Sequence, residues 1–420
     1  MISNSLADVV LVASLIVSLL TYIQVSRRDG SYLNILTPAF IVNIPAYYLL
    51  PLFYTHVTGN DGSPYAYIYV YATLALENIV FAYFYVRPAK SLLRFPIAYS
   101  YGNFFPLALV FLVVAFLMYV PVLIQFREYL LDPRQIYSET RTGFGINFYI
   151  SNVFAYLSII LALFSKRSWL SNIAVILAAT LIVSLHGSKG LVLNVVFLVA
   201  LFVVYVAQRK VSLLPSMLAG LGIGLLALAL FAATMALGDN AFDILESVSA
   251  YSDYTRNAML VIDSHMPLQY GRLTMEANVI GRIPRLLMPG KPKKFGYLYL
   301  ADVFFPESFD KEAGAPDFGI GAQYADFGIF AVLYLAFFAA LRGWLARIFV
   351  NRLKLTRHPA DFYLLAFFAN ISLFSVGGVG WLLPEALIVA AFLCLASRIG
   401  SKKVYRERIV PKPRFVAANN

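Results

Sequence analysis

The sequence predicts an all-α, polytopic membrane protein of about eleven spans (range about ten to twelve), and three observations carry that prediction. The 420-residue chain is 60% apolar and only 13% charged, with a mean hydropathy of +0.74. A soluble domain cannot bury that much hydrocarbon. Runs of about 20 mainly apolar residues recur from end to end, each long enough to cross a hydrocarbon core of ~30 Å as a helix. Lysine and arginine also concentrate on alternate connections between those runs, as they do where one set of connections faces the cytoplasm.

The spans are placed near 6–25, 34–55, 65–86, 104–126, 144–164, 169–186, 191–207, 215–237, 325–341, 362–377 and 382–397. No basic segment precedes the first run and no small-residue cleavage site follows it, so it reads as a span and not as a signal peptide. Basic residues fall at Arg27 and Arg28, at Arg87, Lys90 and Arg94, at Lys166 and Arg167, and at Arg209 and Lys210. Five more lie between Arg342 and Arg357, and seven between Arg398 and Arg414. That side holds 21 of the 33 basic residues against Asp29, Asp361 and Glu407, and is read as cytoplasmic. The N-terminus is then external and the C-terminus cytoplasmic. The net charge of +11 follows from this asymmetry and gives no reason to expect a nucleic acid partner.

Four parts result: a membrane bundle over 1–237 with about eight helices, a long external loop over 238–324, membrane helices over 325–397, and a basic tail over 398–420. The first half of the loop reads as helix, with Phe242, Leu245, Val248 and Tyr251 on one face and Asp239 or Asn240 as cap. A second amphipathic segment, from about Arg272 to Arg282, suits the membrane interface. Pro284, Pro289, Pro292, Pro306 and Pro316 break up the remainder. No internal repeat of the kind common in transporters is visible.

Twelve basic residues depart from the charge rule by lying on the external side. Arg282, Arg285, Lys291, Lys293 and Lys294 crowd into "RIPRLLMPGKPKK" with no acid among them. The loop as a whole holds 11 carboxylates against 8 basic residues. A cationic patch pinned by prolines inside an acidic loop suits an anion, because arginine bonds phosphate oxygens with both arms of its fork. The plainer alternative is snorkelling to lipid headgroups. In "LHGSKGLVL" Lys189 stands in a tight turn between two spans, beside Gly187 and Gly190. Glycines let backbone N–H groups approach an anion there, or they serve the hairpin alone.

Other polar positions are sparser. Glu77 is the one carboxylate predicted deep in a span, and Glu385 lies near the external end of the last. His56, His186, His265 and His358 lack metal-ligand spacing, and no Walker A or GxGxxG pattern occurs. No metal or cofactor is therefore expected. A single cysteine, Cys394, leaves no intrachain disulfide.

The stretch "PLQYGRLTMEANVIGRIPRLLMPGKP" resembles the signature of bacterial O-antigen and exopolysaccharide repeat-unit polymerases (Wzy-type). "FGIGAQYADFGIFAVLY" is similar to that family's "G-E-x-Y-x-x-F-G" followed by a span, and "SKG" at 188–190 to its "SRG" turn. The resemblance covers about 185–335. It implies a fold like that of the GT-C lipid-sugar glycosyltransferases, at the periplasmic face of the inner membrane. The implied reaction moves a growing glycan from undecaprenyl diphosphate to a lipid-linked repeat unit, with no nucleotide sugar and no metal. Membrane lipids and a chain-length regulator are the further partners it brings.

Carried over position by position, Lys189, Arg282, Arg285 and Lys291 face the diphosphate, and Arg256 joins them on the external side. Arg127, Arg141, Gln323 and Tyr324 are candidates for orienting substrate. Gln323 stands where the family has glutamate, so a carboxylate base does not transfer to it. Asp253, His265, Glu276 and Asp317 remain candidates for the base that accepts the acceptor hydroxyl's proton. Two other activities belong to neighbouring classes: an O-antigen ligase acting on lipid A core, and a flippase for the same lipid-linked units. The order of the motifs favours the polymerase. The gathering of cations on one face, with only Glu77 deep, favours an enzyme at that face over a transporter.

Overall fold

The computed structural model describes residues 4–53, 62–88, 102–130, 136, 144–187, 189–232, 253–283, 287–292, 294–307, 317–371 and 383–400. Among the described residues every regular element is helical. Five helical segments are long and apolar enough to cross a membrane: 7–29, 64–86, 105–125, 145–163 and 321–356. Shorter apolar helices stand at 37–53, 169–185, 190–206, 213–225, 359–368 and 386–399; each predicted span overlaps an apolar helix, 362–377 only as far as 368. The predicted loop helix before residue 253, the glycine-rich 372–382 and the basic tail lie outside the described residues.

In chain order the helices of the bundle are α1 (Asn4–Asp29), α2 (Thr37–Asn43, continued by a π-turn Ile44–Leu49), α3 (Pro64–Val86), α4 (Phe105–Gln125), α5 (Gly145–Leu163) and α6 (Trp169–Leu185). Then come α7 (Lys189–Leu201, continued by a π-turn Phe202–Val206) and α8 (Leu213–Ala232). The loop contributes α9 (Asp253–Asp263), α10 (Arg272–Val279), α11 (Leu298–Phe304) and α12 (Gly321–Phe327). The chain returns as α13 (Ala331–Thr356), α14 (Pro359–Phe368) and α15 (Leu383–Gly400). α1, α3 and α13 pack as one group, α4, α5 and α6 as another. Outward faces carry exposed apolar side chains such as Leu177, Leu181, Leu221 and Phe337, the pattern of helices solvated by lipid.

α13 differs from the prediction in length. Its span was expected to end at 341, with Arg342 and Arg347 in a polar connection, yet the helix runs on to Thr356. Both arginines are turned into the bundle, each within electrostatic reach of a carboxylate. Arg347 Nη1 lies 3.9 Å from Asp29 Oδ1, and Arg342 acts electrostatically on Glu77. Asp29 also accepts hydrogen bonds from Tyr85 (2.8 Å) and Tyr205 (2.5 Å), which ties α1, α3, α7 and α13 at one end of the bundle. Between the two arginines sits Gly343. A Cβ there would stand 2.4 Å from the Phe81 carbonyl oxygen, so only glycine allows α13 to lie this close to α3. Glu77 borders a cavity of about 40 Å³ lined by Ser18, Asn43, Tyr48 and Asn78, large enough for a water molecule.

Residues around Lys189 build the α6–α7 hairpin. Gly187 closes α6 with φ +69°. Tyr119 donates to the Leu185 carbonyl and Tyr156 to the Leu191 carbonyl, each at 2.5 Å. His186 is fully buried, with its ring nitrogens 2.7 Å from the Ile182 carbonyl and 3.1 Å from that of Phe148. The histidine thus fastens α6 to α5. Lys189 opens α7; its side chain lies outside the described residues.

At the junction of α13 and α14, Arg352 holds Asp361 through two bonds of 3.0 and 3.3 Å, and Thr356 adds a third at 2.7 Å. His358 caps α14 by accepting from the Ala360 N–H. Burial pushes its imidazole down to about 4; Asp361 opposes that shift and Arg352 adds to it. Above about pH 6.5, the ordinary histidine value, His358 is neutral whether the chain is folded or not. Between about 6.5 and 4 the unfolded chain binds a proton that the folded one refuses, so stability falls as pH drops through that window. Thermal unfolding of the detergent-solubilised protein at pH 7, 5.5 and 4.5 should show this loss, with a shallower slope in His358→Asn, which keeps a capping acceptor.

Candidate functional site

The two motif-bearing stretches come together through one buried carboxylate. Asp326, in "QYADFG", accepts from the backbone N–H of Leu273 (3.0 Å) and of Thr274 (2.7 Å) and from the Thr274 hydroxyl (2.5 Å). These N–H groups belong to the first turn of α10 and have no partner within the helix. A negative charge there also meets the positive end of the helix dipole. Gly271, which precedes α10, supplies no side-chain cap and adopts φ +83°, so a residue 55 positions away does the capping. One further bond, Gln269 N–H to the Ala325 carbonyl at 2.9 Å, holds the "QYG" segment alongside "YAD".

Small residues allow the approach. A Cβ on Gly321 would lie 2.6 Å from the Ala258 Cα, and one on Gly319 would lie 2.7 Å from the Tyr254 carbonyl oxygen. α12 therefore packs directly on α9. Val261, Leu273, Leu300, Ala301, Phe318, Ala322 and Ala325 form the core of this platform. A second cluster joins it to the bundle, with Ala258, Met259 and Ile262 of α9 against Ala7 and Leu11 of α1, Tyr48, and Ala66 to Tyr71 of α3. The loop helices thus sit at the end where α1 begins, α2 ends and α3 begins. Asp263 locks that seat by accepting from the Ser63 N–H (2.7 Å) and from the Ser63 hydroxyl, at the residue that caps α3.

Gln323 and Tyr324 are the sequence-predicted residues that lie on the platform. Gln323 donates from its amide to the Tyr297 hydroxyl at 3.3 Å, and that hydroxyl is 3.2 Å from Thr274 Oγ1, next to Asp326. Burial holds the Tyr297 phenol above its usual value, the bonds to Thr274 and Gln323 offset part of that, and Tyr334 and Asp326 push it further up. Tyr324 stands against Tyr65 and Tyr69 of α3, with its hydroxyl 3.4 Å from that of Tyr65.

Other candidates are already engaged in shaping the loop. Lys291 Nζ donates to the carbonyls of Gly281 and Ile283 at 3.0 Å each and lies over the Phe295 ring, so its charge folds the cationic segment back on itself. Glu276 accepts from the Gly296 N–H at 2.8 Å and lies 3.9 Å from Arg272. Asp317 accepts from the Gly319 N–H at 2.8 Å, and its carbonyl accepts from Asn257. His265 is exposed, with φ +51°, just beyond α9. Arg256 is on α9, partly buried. Arg127 stands exposed beyond α4, whose main neighbours are α5 and α6, and so is apart from the platform. Arg141 and Arg285, and the side chains of Lys189, Asp253 and Arg282, lie outside the described residues. Among the described residues no three His, Cys, Asp or Glu side chains gather closely enough to hold a metal ion.

Sequence reasoning missed Asp326, Thr274, Tyr297, Asp263 and Tyr65. Asp326 left one signal, a lone acid inside "GAQYADFGIFAVLY" at the threshold of a span. The others carry none.

Fold and platform together define a multi-pass membrane protein with a loop domain seated on one end of its helices. The chain belongs to the O-antigen polymerase family. It is 35% identical over 403 residues to the O-antigen polymerases of Salmonella typhimurium and Salmonella typhi, covering 94% of this chain and 94% of each relative. No family model and no solved structure matches it.

Removing the Asp326 cap leaves the Leu273 and Thr274 N–H groups unpaired and takes one partner from the Thr274 hydroxyl. Asp326→Ala should cost about 2 kcal/mol or more and lower the Tm by several degrees. Thr274→Val should cost less in the Asp326→Ala background than alone, because the two residues share one bond. Thermal unfolding of the four-member cycle in detergent checks both.

Proposed function

We propose that this protein polymerises lipid-linked repeat units at the periplasmic face of the inner membrane. The growing glycan leaves undecaprenyl diphosphate and joins the non-reducing end of an incoming unit. A bond forms between the donor's anomeric carbon and an acceptor hydroxyl oxygen. The bond from that carbon to the diphosphate oxygen breaks, its electron pair leaves with undecaprenyl diphosphate, and the acceptor proton passes to a base. The observation that carries this reading is identity to two O-antigen polymerases along almost the whole chain.

The leaving group gains charge as the bond breaks, so fixed cations at its oxygens lower the barrier without a metal ion. Lys189, Arg256, Arg282 and Arg285 are assigned to that task, within a GT-C-like bundle of eleven spans roofed by 238–324. Lys291 contributes indirectly, by folding the segment that carries Arg282 and Arg285. His265 is the base candidate best open to substrate: Glu276 and Asp317 are committed to backbone N–H groups, while the imidazole is exposed at the platform edge.

Purified protein in nanodiscs, given a synthetic undecaprenyl-diphosphate repeat unit, should yield a ladder of oligomers on a gel. Arg285→Ala and Lys189→Ala should each reduce the rate by roughly 100-fold, the scale of losing one group that stabilises developing negative charge. A ladder absent from the wild type with its cognate unit contradicts the assignment. Topology is tested separately in spheroplasts, on a Cys394→Ser background. A membrane-impermeant maleimide should label Lys293→Cys and leave Ser401→Cys untouched until the membrane is opened.

A further inference from the structure

Where the platform meets α3 stands a cluster of three tyrosines, of which Tyr69 belongs to the packed seam and Tyr65 and Tyr324 lie at its surface side. Tyr65 and Tyr69 are four residues apart on α3 and so share a face. Tyr324 reaches them from α12. Its ring meets Tyr69 edge to face, 5.0 Å between centroids, and Tyr65 lies tilted on Tyr69 at 6.0 Å. Tyr69 is the buried base of the cluster, its hydroxyl directed at the Gly328 carbonyl, while Tyr65 is 45% exposed. The Tyr65 and Tyr324 hydroxyls face one another at the surface, 3.4 Å apart. Asp263 stands beside the cluster: it grips Ser63, two residues before Tyr65, and acts electrostatically on Tyr324.

We propose that Tyr65, Tyr69 and Tyr324 form a sugar subsite, which holds one pyranose ring of the lipid-linked oligosaccharide beside Gln323. This rests on the polymerase reading and adds to it where the substrate's glycan is held. A pyranose has a C–H face that packs on an aromatic ring and a rim of hydroxyls that need partners. The cluster offers both, with ring faces from Tyr65 and Tyr324 and two surface hydroxyls that satisfy each other only at a long distance. Its position suits a sugar that follows a membrane-embedded diphosphate, at the start of α3 and just before α13. Gln323 is already immobilised by Tyr297, so the sugar would meet a partner whose ordering cost has been met in folding.

Tyrosines also gather at membrane boundaries as anchors with no ligand. An anchor needs the ring and an outward hydroxyl; it does not need two phenols, 259 residues apart, facing each other across a platform. Removing single hydroxyls separates the two roles. In nanodiscs, initial polymerisation rates against repeat-unit concentration should show KM raised about five- to tenfold in Tyr65→Phe and Tyr324→Phe, the scale of one lost hydrogen bond. The kcat should stay within about twofold, and Tm should be unchanged. The lipid-free repeat-unit oligosaccharide, mixed with wild type, should give saturation-transfer NMR signals that vanish in Tyr65→Ala. Unaltered KM in both phenylalanine variants, with oligosaccharide signals intact in Tyr65→Ala, overturns the subsite while leaving a polymerising wild type in place. Tyrosine-dependent oligosaccharide binding with no polymer from the wild type keeps the subsite and removes the polymerase.

Discussion

One carboxylate, Asp326, holds together what would otherwise be two unrelated segments. α10 has only eight residues, too few to be stable alone in water. Its first turn is completed by a side chain from α12, the short helix that leads directly into α13. The consequence is mechanical. The position of α10, and of the cationic segment that follows it, is referred to α12 through this carboxylate, with the Gln269–Ala325 backbone bond and the shared apolar core of Leu273, Ala322 and Ala325 beside it. Glycines at 319 and 321 serve the same end by letting α12 lie on the α9 backbone, and Asp263 completes it by fastening α9 to the start of α3. The described helices α9 to α12 thereby acquire a packed floor on the bundle at the start of α3.

The bundle beneath that floor is organised by charges placed on α13. Burying an arginine or a carboxylate in a low-dielectric interior is costly unless each finds a partner. Two of the arginines of α13, Arg342 and Arg347, lie five residues apart; Glu77 of α3 acts electrostatically on the first and Asp29 of α1 lies 3.9 Å from the second. Such pairs specify which helix lies beside which, a task that interchangeable leucines perform poorly. Gly343 between them lets the backbones close to contact distance. The opposite ends of the bundle thus differ in kind: one is locked by an aspartate–tyrosine–arginine network, the other supports the loop platform.

Hydropathy made the membrane helices legible, because a bilayer imposes a length and an apolar composition that few other structures need. Each predicted span meets an apolar helix. Misplacement occurred where charge was taken as a mark of a loop. Arg342 and Arg347 were assigned to a connection since their partners, on α3 and α1, lie far away in the chain. The amphipathic run near 272–282 was readable from its period, and the structure makes it α10 followed by a 3₁₀ turn. The motifs were visible as text, but the reason for their joint occurrence was not. A cap that spans more than 50 residues leaves no local pattern, and Asp326 stands in an apolar run with nothing beside it to name its target. Lys291 shows the same limit from the other side: a tally of charges does not register the two backbone carbonyls that its ammonium meets.

Hydrogen exchange of the nanodisc-embedded protein, read by mass spectrometry over 269–279, addresses the Asp326 contact most directly. If it holds the platform to the membrane bundle, these amides exchange slowly in the wild type. In Asp326→Asn they should then lose protection together with those of 253–263, while α3 and α5 stay unchanged. Free exchange over 269–279 in the wild type, or protection that survives the substitution, would show that the loop is held in place by something other than this carboxylate.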